Sequence, residues 1–312
     1  MHRSSHLVQR ATFVTVIGLS VGLWAGLAPA AYATPGKGPE VIAYSRVDAL
    51  FDSEIYTMSN AGNDETNVSN DLAFQDGEAA WAANGTKAAF VTNRDGTFDI
   101  YTMNPDGTGQ APLIALPSDE FDPAYSPDGT RIAYSSDADG DFDIYVANAD
   151  GTSAVQLAGA NGAGYDEFPT WSRDSSLIAF DSDSGGDREI YVVPAIGGGA
   201  VNISNDPADD YAADWSPQGK SIAWSSDRDG DNEIYKANPD GTGITQLTVN
   251  TWGDFDPAWS PSGGRLAFAS TPEVQEDIFV MNQNGNGIKQ MTETPFDELD
   301  PDWQTRNESS KR

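Results

Sequence analysis

The 312 residues suffice for one sizeable core and carry 48 Asp plus Glu against 17 Lys plus Arg, a formal charge of −31. A surface of that sign repels phosphate backbones and anionic lipid, which excludes nucleic acid and the membrane surface as partners. Cysteine is absent and the only histidines are His2 and His6, so no disulfide supports the fold.

Arg3 and Arg10 precede an apolar run from Ala11 to Leu27, followed by Pro29 and Ala31-Tyr32-Ala33. These are the three zones of a secretory signal peptide, predicted over residues 1–33 with cleavage after Ala33. A retained membrane anchor is the alternative, because the run approaches bilayer-spanning length; its Gly, Ser and Thr content and the A-x-A site favour cleavage. Either way the rest of the chain lies outside the cytoplasm, secreted or in the periplasm or cell envelope. Cleavage leaves 15 basic against 48 acidic residues, a formal charge of −33, and removes both histidines.

A short leader (34–40) leads into repeats that occupy 41–304, and a polar tail (305–312) follows. The repeating unit is clearest at Phe121 to Leu157, where four short runs of strand-forming residues alternate with turn signals such as Pro127-Asp128-Gly129 and Ala149-Asp150-Gly151. Four such runs in succession predict a four-stranded antiparallel meander. The unit's aromatic anchor recurs at Trp81, Tyr125, Trp171, Trp215, Trp259 and Trp303, at spacings of 44, 46, 44, 44 and 44 residues. Four strands per period of about 40 to 45 residues is β-propeller arithmetic. The last anchor has a first strand only, whereas 41–69 supplies VIAYS, EIYTM and ETNVS without one. Joined, they predict an all-β, six-bladed propeller closed by the C-terminal strand pairing with the N-terminal blade, which removes both open sheet edges.

The pattern D-x-P-x-W-S-P-D-G, IA[FYW]xS, DxDG, [DE]IY and N-x-D-G-T, as in Phe121 to Ser153 and Ala213 to Gly243, resembles the TolB-type (WD40-like) propeller repeat. The resemblance covers nearly all of the mature chain. It implies the fold and leaves function open, because such propellers serve as binding platforms in unrelated contexts. TolB resembles this propeller with an α/β domain before it; no stretch of that length lies between Ala33 and the first blade, so the resemblance implies no Tol-Pal role.

In such a meander the loops between second and third strands, together with the connections between blades, share one face; the S-P-D-G and N-x-D-G turns share the other. The first face is the acidic one. Five residues before each anchor stands an acid: Asp76, Glu120, Asp166, Asp210, Asp254 and Glu298. These are candidate binding residues around the mouth of the central channel, with Glu78, Asp122, Asp256 and Asp300 adding to them. The competing reading is that a carboxylate repeated once per blade caps backbone N–H groups. Two carboxylates about 8 Å apart repel by roughly 2 kcal/mol at an effective dielectric near 20, which calls for water or a cation at the mouth.

Candidate metal ligands are Asp137, Asp139 and Asp141 in one loop and Asp227, Asp229 and Asp231 in another. Alternate acids on a tight loop turn oxygens toward one hard cation, and Ca²⁺ accepts irregular oxygen cages. The glycine does not fall where an EF-hand loop needs it, and a plain Asp-Gly hairpin turn is the competing reading. Blade six has Thr271-Pro272-Glu273 in place of the motif. No cofactor is required, with Ca²⁺ the candidate ion.

A mature chain without histidine or cysteine excludes Ser-His-Asp and Cys-His catalysis and any histidine-held zinc. It also excludes the histidine-ligated metal of pectin lyases that this repeat otherwise resembles. No catalytic residue is assigned. The favoured function is an exported, non-enzymatic, monomeric binding platform for a protein or envelope polymer, using the acidic face and its aromatics Phe121, Tyr165, Tyr211, Trp252 and Phe255. The rival is a carboxylate-based carbohydrate-active enzyme, for which the same aromatics would stack sugar rings.

Overall fold

Runs of Ile, Val, Tyr and Phe cut by glycine-closed turns are too short for helices and fit strands. A computed structural model describes residues 40–304 except 49–51, 72, 158, 161–163 and 273. These residues fall within the second of the chain's two compact units, Pro35–Arg312. The predicted signal peptide, leader residues 34–39 and the tail lie outside the described residues. Among the described residues there are 24 strands and no helix, hence none long and apolar enough to cross a membrane.

The strands form six four-stranded antiparallel sheets, the blades of a propeller. In blade 1 the C-terminal strand Asp297–Trp303 pairs with Val41–Val47, which continues into Ser53–Ser59 and Thr66–Asn67. The closing register sets Ile42 against Trp303 and Val47 against Asp297. Blades 2 to 6 each begin with an inner strand: Asp76–Trp81, Glu120–Tyr125, Asp166–Trp171, Asp210–Trp215 and Asp254–Trp259. The predicted closed six-bladed ring is the observed one.

The core lies between blades. Trp171 packs with Ile178 and Phe180 of blade 4 and with Ala133, Ile144 and Leu157 of blade 3. Its indole Nε1 donates to the Ala124 carbonyl at 2.9 Å, as that of Trp303 donates to Ala258 at 3.1 Å. An anchor therefore belongs energetically to two sheets, which is why each blade needs its neighbour. Backbone bonds add a second stitch: the N–H groups of Glu120, Asp166, Asp210, Asp254 and Glu298 donate to carbonyls of the preceding blade at 2.7–2.8 Å.

The two faces differ in chemistry. On the N-x-D-G side, Thr108, Thr152 and Thr242 each donate backbone N–H and hydroxyl to Asp106, Asp150 or Asp240, and these bonds lower the carboxyl pKa values. Those acids are consumed in turns. The loops between second and third strands, on the other side, carry the acids singled out above.

Candidate binding and cation site on the acidic face

Each inner strand opens with, or in blade 1 one residue before, its repeated acid. All six side chains turn inward: Asp76, Glu120, Asp210 and Glu298 are 0 % exposed, Asp254 1 % and Asp166 2 %. They stand at the start of the inner strands, where the channel mouth is expected, with their side chains buried. The residue that aligns with each acid on the second strand, or lies just beyond, supplies a partner. Asp76 pairs with Arg94 at 3.1 Å, Asp210 with Arg228 at 2.8 Å and Glu298 with Arg46 at 2.7 Å. Glu120 accepts from Ser118 at 2.5 Å and Ser136 at 3.2 Å, and Asp254 from Ser270 at 2.5 Å and Asn250 at 2.8 Å. Asp166 stands opposite Ser182 in the strand pairing, and that hydroxyl lowers its carboxyl pKa.

Burial raises all six carboxyl pKa values, to about 6 for Asp76 and Asp166 and about 7 for Glu120, with the hydroxyl and arginine bonds opposing it. Desolvation prevails because the few donors each carboxylate gains do not replace the water it leaves.

The further acids two residues on mark a backbone device. Glu78, Asp122, Phe168, Ala212, Asp256 and Asp300 all have φ of 49–54°, and each complete inner strand shifts register around this point. A bulge with a left-handed non-glycine residue is held only where the surroundings over-determine it. Here they do: Asp122 N–H donates to Glu78 at 2.8 Å and Phe168 N–H to Asp122 at 3.3 Å, blade to blade. Four of the six positions being acidic is thus in part a hydrogen-bonding requirement.

Two structural acids escaped the sequence reading. Asp214 accepts from Trp259 N–H at 2.6 Å and Asp302 from Trp81 N–H at 2.9 Å, each across a blade boundary. Burial pushes them up to about 6 and about 7. In blade 4, Arg188 bridges Glu167 and Asp181, and burial pushes Asp181 up to about 8 although Arg188 opposes it.

The loops hold the second group of candidates. Oxygens of Asp139, Asp141 and Asp143 lie within 4.8 Å of one another, as do those of Asp229, Asp231 and Glu233. Four of the six metal candidates are therefore brought together. Asp137 and Asp227 are not: they accept the N–H of Asp119 at 2.9 Å and of Asp209 at 3.0 Å, tying the loop to the start of the inner strand. Their places are taken by the third-strand acids Asp143 and Glu233. The signal was present in the alternation 139, 141, 143, because alternate residues of an extended segment share a side.

Aromatic rings form a file across three blades on this face. Phe98 and Phe121 have centroids 4.9 Å apart, Phe121 and Phe142 5.7 Å, and Phe142 and Tyr165 6.1 Å. Of the five aromatics expected here, Tyr165 and Trp252 are 45 % and 41 % exposed and Phe121 is partly buried, whereas Tyr211 and Phe255 belong to the core. Phe98 and Phe142 were missed; each immediately precedes a third-strand acid.

A ring of six four-stranded meanders defines a six-bladed β-propeller. Residues 107–206 match the family model described as the TolB beta propeller domain. Solved structures like it include TolB from Acinetobacter baumannii (17 % identity, 86 % of this chain and 68 % of that one, TM-score 0.76). A putative TolB from Agrobacterium tumefaciens shares 18 % identity over 86 % of this chain and 93 % of that one, with TM-score 0.64. Kuenenia stuttgartiensis hydrazine synthase shares 14 % over 87 % of this chain and 48 % of that one, with TM-score 0.70. At these identities the likeness is one of fold. No curated protein matches the sequence.

Proposed function

We propose that this is an exported, non-enzymatic binding propeller of the periplasm or cell envelope, which recognises a protein or envelope polymer through its acidic face. The observation that carries this reading is the file Phe98, Phe121, Phe142 and Tyr165, an apolar strip among loops rich in Asp. Aromatic surface supplies contact area, and flanking carboxylates select a partner bearing positive charge and raise its rate of encounter. Ca²⁺ is the ion suited to the loop carboxylates. The signal-peptide pattern of residues 1–33 supports export. A glycoside-cleaving role is not taken up, because it needs a carboxylate pair open to substrate and the six repeated acids are buried.

The test is capture from the native envelope with the mature chain, beside Phe121→Ala/Tyr165→Ala and beside Ile196→Ser on the opposite face. A partner held by the parent and by Ile196→Ser but lost by the aromatic variant supports the reading. Equal capture by all three removes the strip as the contact surface. Hydrolysis of a glycan panel that disappears in Glu120→Gln would end the non-enzymatic reading.

A further inference from the structure

The two loop clusters look alike in sequence, DADGDFD against DRDGDNE, yet the structure makes them unlike. In blade 5, Arg228 extends from the loop to Asp210 at 2.8 Å and lies 3.9 Å from Asp206, so this loop carries a cation of its own next in sequence to Asp229. Both Glu233 oxygens are engaged there, Oε1 by Asn250 N–H at 2.5 Å and Oε2 by its Nδ2 at 3.4 Å. In blade 3 the arginine's place is taken by Ala138, and no Arg pairs with the local inner-strand acid Glu120.

The blade 3 carboxylates are also short of donors. Gln156 Nε2 is shared between Asp139 Oδ2 at 2.8 Å and Asp143 Oδ2 at 2.9 Å, and Gly164 N–H reaches Asp141 Oδ2 at 3.3 Å. Asp143 is 1 % exposed, and its Oδ1 is buried with no hydrogen-bond partner. Asp166, on the adjoining blade and 2 % exposed, likewise has a buried Oδ1 without a partner, and its carboxyl feels Asp141. Buried carboxylate oxygens without donors are costly unless something positive meets them. The cluster is graded from exposed Asp139 through Asp141 to buried Asp143, so an ion has a route from solvent to the floor.

We propose that Asp139, Asp141 and Asp143 form a single Ca²⁺ site at the boundary of blades 3 and 4, backed by Asp166, and that the blade 5 cluster is not a second one. Rotating the Gln156 amide by half a turn would offer its carbonyl oxygen to the same ion. An all-oxygen, irregular set of ligands suits Ca²⁺ better than Mg²⁺, which demands a tight octahedron. The inference rests on the acidic face attracting cations and not on any partner, so losing the partner reading leaves it standing.

Calorimetric titration of the mature chain with Ca²⁺ at constant ionic strength tests it. One equivalent should bind, with Mg²⁺ at least about tenfold weaker. Asp143→Asn and Ala138→Arg should each weaken Ca²⁺ by about tenfold or more, the second by importing the arginine of blade 5 at an exposed position. Asp229→Asn should change affinity less than about twofold, being remote from the site. Ala138→Arg keeps the test decisive if Asp143→Asn melts early. No saturable binding at millimolar Ca²⁺, two equivalents, equal Mg²⁺ affinity, or unaltered binding in Ala138→Arg would each overturn the proposal.

Discussion

Asp302 Oδ2 accepts the backbone N–H of Trp81 at 2.9 Å, so the last strand of the chain holds the first strand of blade 2. The same strand buries Trp303 to 2 % exposure and covers Val41–Val47. Deleting residues 295–312 therefore strips one blade of its inner strand and leaves its neighbours without a packing partner. The expected outcome is loss of cooperative stability across the ring, read as a much lowered or broadened melting transition. A truncated chain that melts like the parent would contradict closure. Asp302→Ala should cost about 1–3 kcal/mol by orphaning the Trp81 N–H, whereas Asp302→Asn keeps an acceptor and should cost less.

Acid should stabilise this protein down to about pH 5. Burial raises Glu120 and Asp302 to about 7, Asp76 and Asp214 to about 6 and Asp181 to about 8. Unfolded carboxyls titrate near 4. Between those values the folded state binds protons that the unfolded state has released, so stability falls as pH rises through the folded pKa values and levels off above them. Urea midpoints measured with chelator present should be higher at pH 5 than at pH 8. A midpoint that climbs with pH would show that these carboxylates are better compensated than the geometry indicates.

The architecture was legible because turn chemistry and aromatic anchors are local signals repeated six times, so a weak pattern in one blade is corrected by the next. The depth of Asp76, Asp210 and Glu298 was not legible, because the arginines that reach them lie 18, 18 and 252 positions away in sequence. The role of Asp137 was hidden for a similar reason: its bond to Asp119 N–H depends on how the loop folds back over its own blade. Composition announced a face rich in carboxylates. Which of them remain accessible was decided by hydroxyls and guanidinium groups that the same repeat brings inward.

Arg94 provides a direct measure of that compensation. It contacts both oxygens of fully buried Asp76 at 3.1 Å and lies over the Tyr101 ring at 4.9 Å. Arg94→Met retains much of the packing and leaves a buried carboxylate without its counter-charge, which typically costs about 3–5 kcal/mol. The loss should be largest at pH 8 and smaller at pH 5, where Asp76, raised to about 6 even with its arginine, is mostly neutral. Equal destabilisation at both pH values would mean that Arg94 acts through packing alone.

Gly151 and Gly129 separate backbone strain from collision. Both adopt left-handed φ, 80° and 71°, but a Cβ on Gly151 would stand 2.0 Å from the Leu113 carbonyl oxygen of blade 2, whereas one on Gly129 meets nothing within 4 Å. Gly129→Ala should therefore lose only the left-handed penalty, about 1–2 kcal/mol. Gly151→Ala must also push the N-x-D-G turn of blade 3 off the outer edge of blade 2, because a carbonyl oxygen cannot rotate away as a side chain can. Its loss should exceed that of Gly129→Ala by at least about 1 kcal/mol, in the range of overpacked cores. Equal melting temperatures for the two variants would show that the turns are not pressed against the neighbouring blade and that the seam between blades is held by the inner strands and anchors alone.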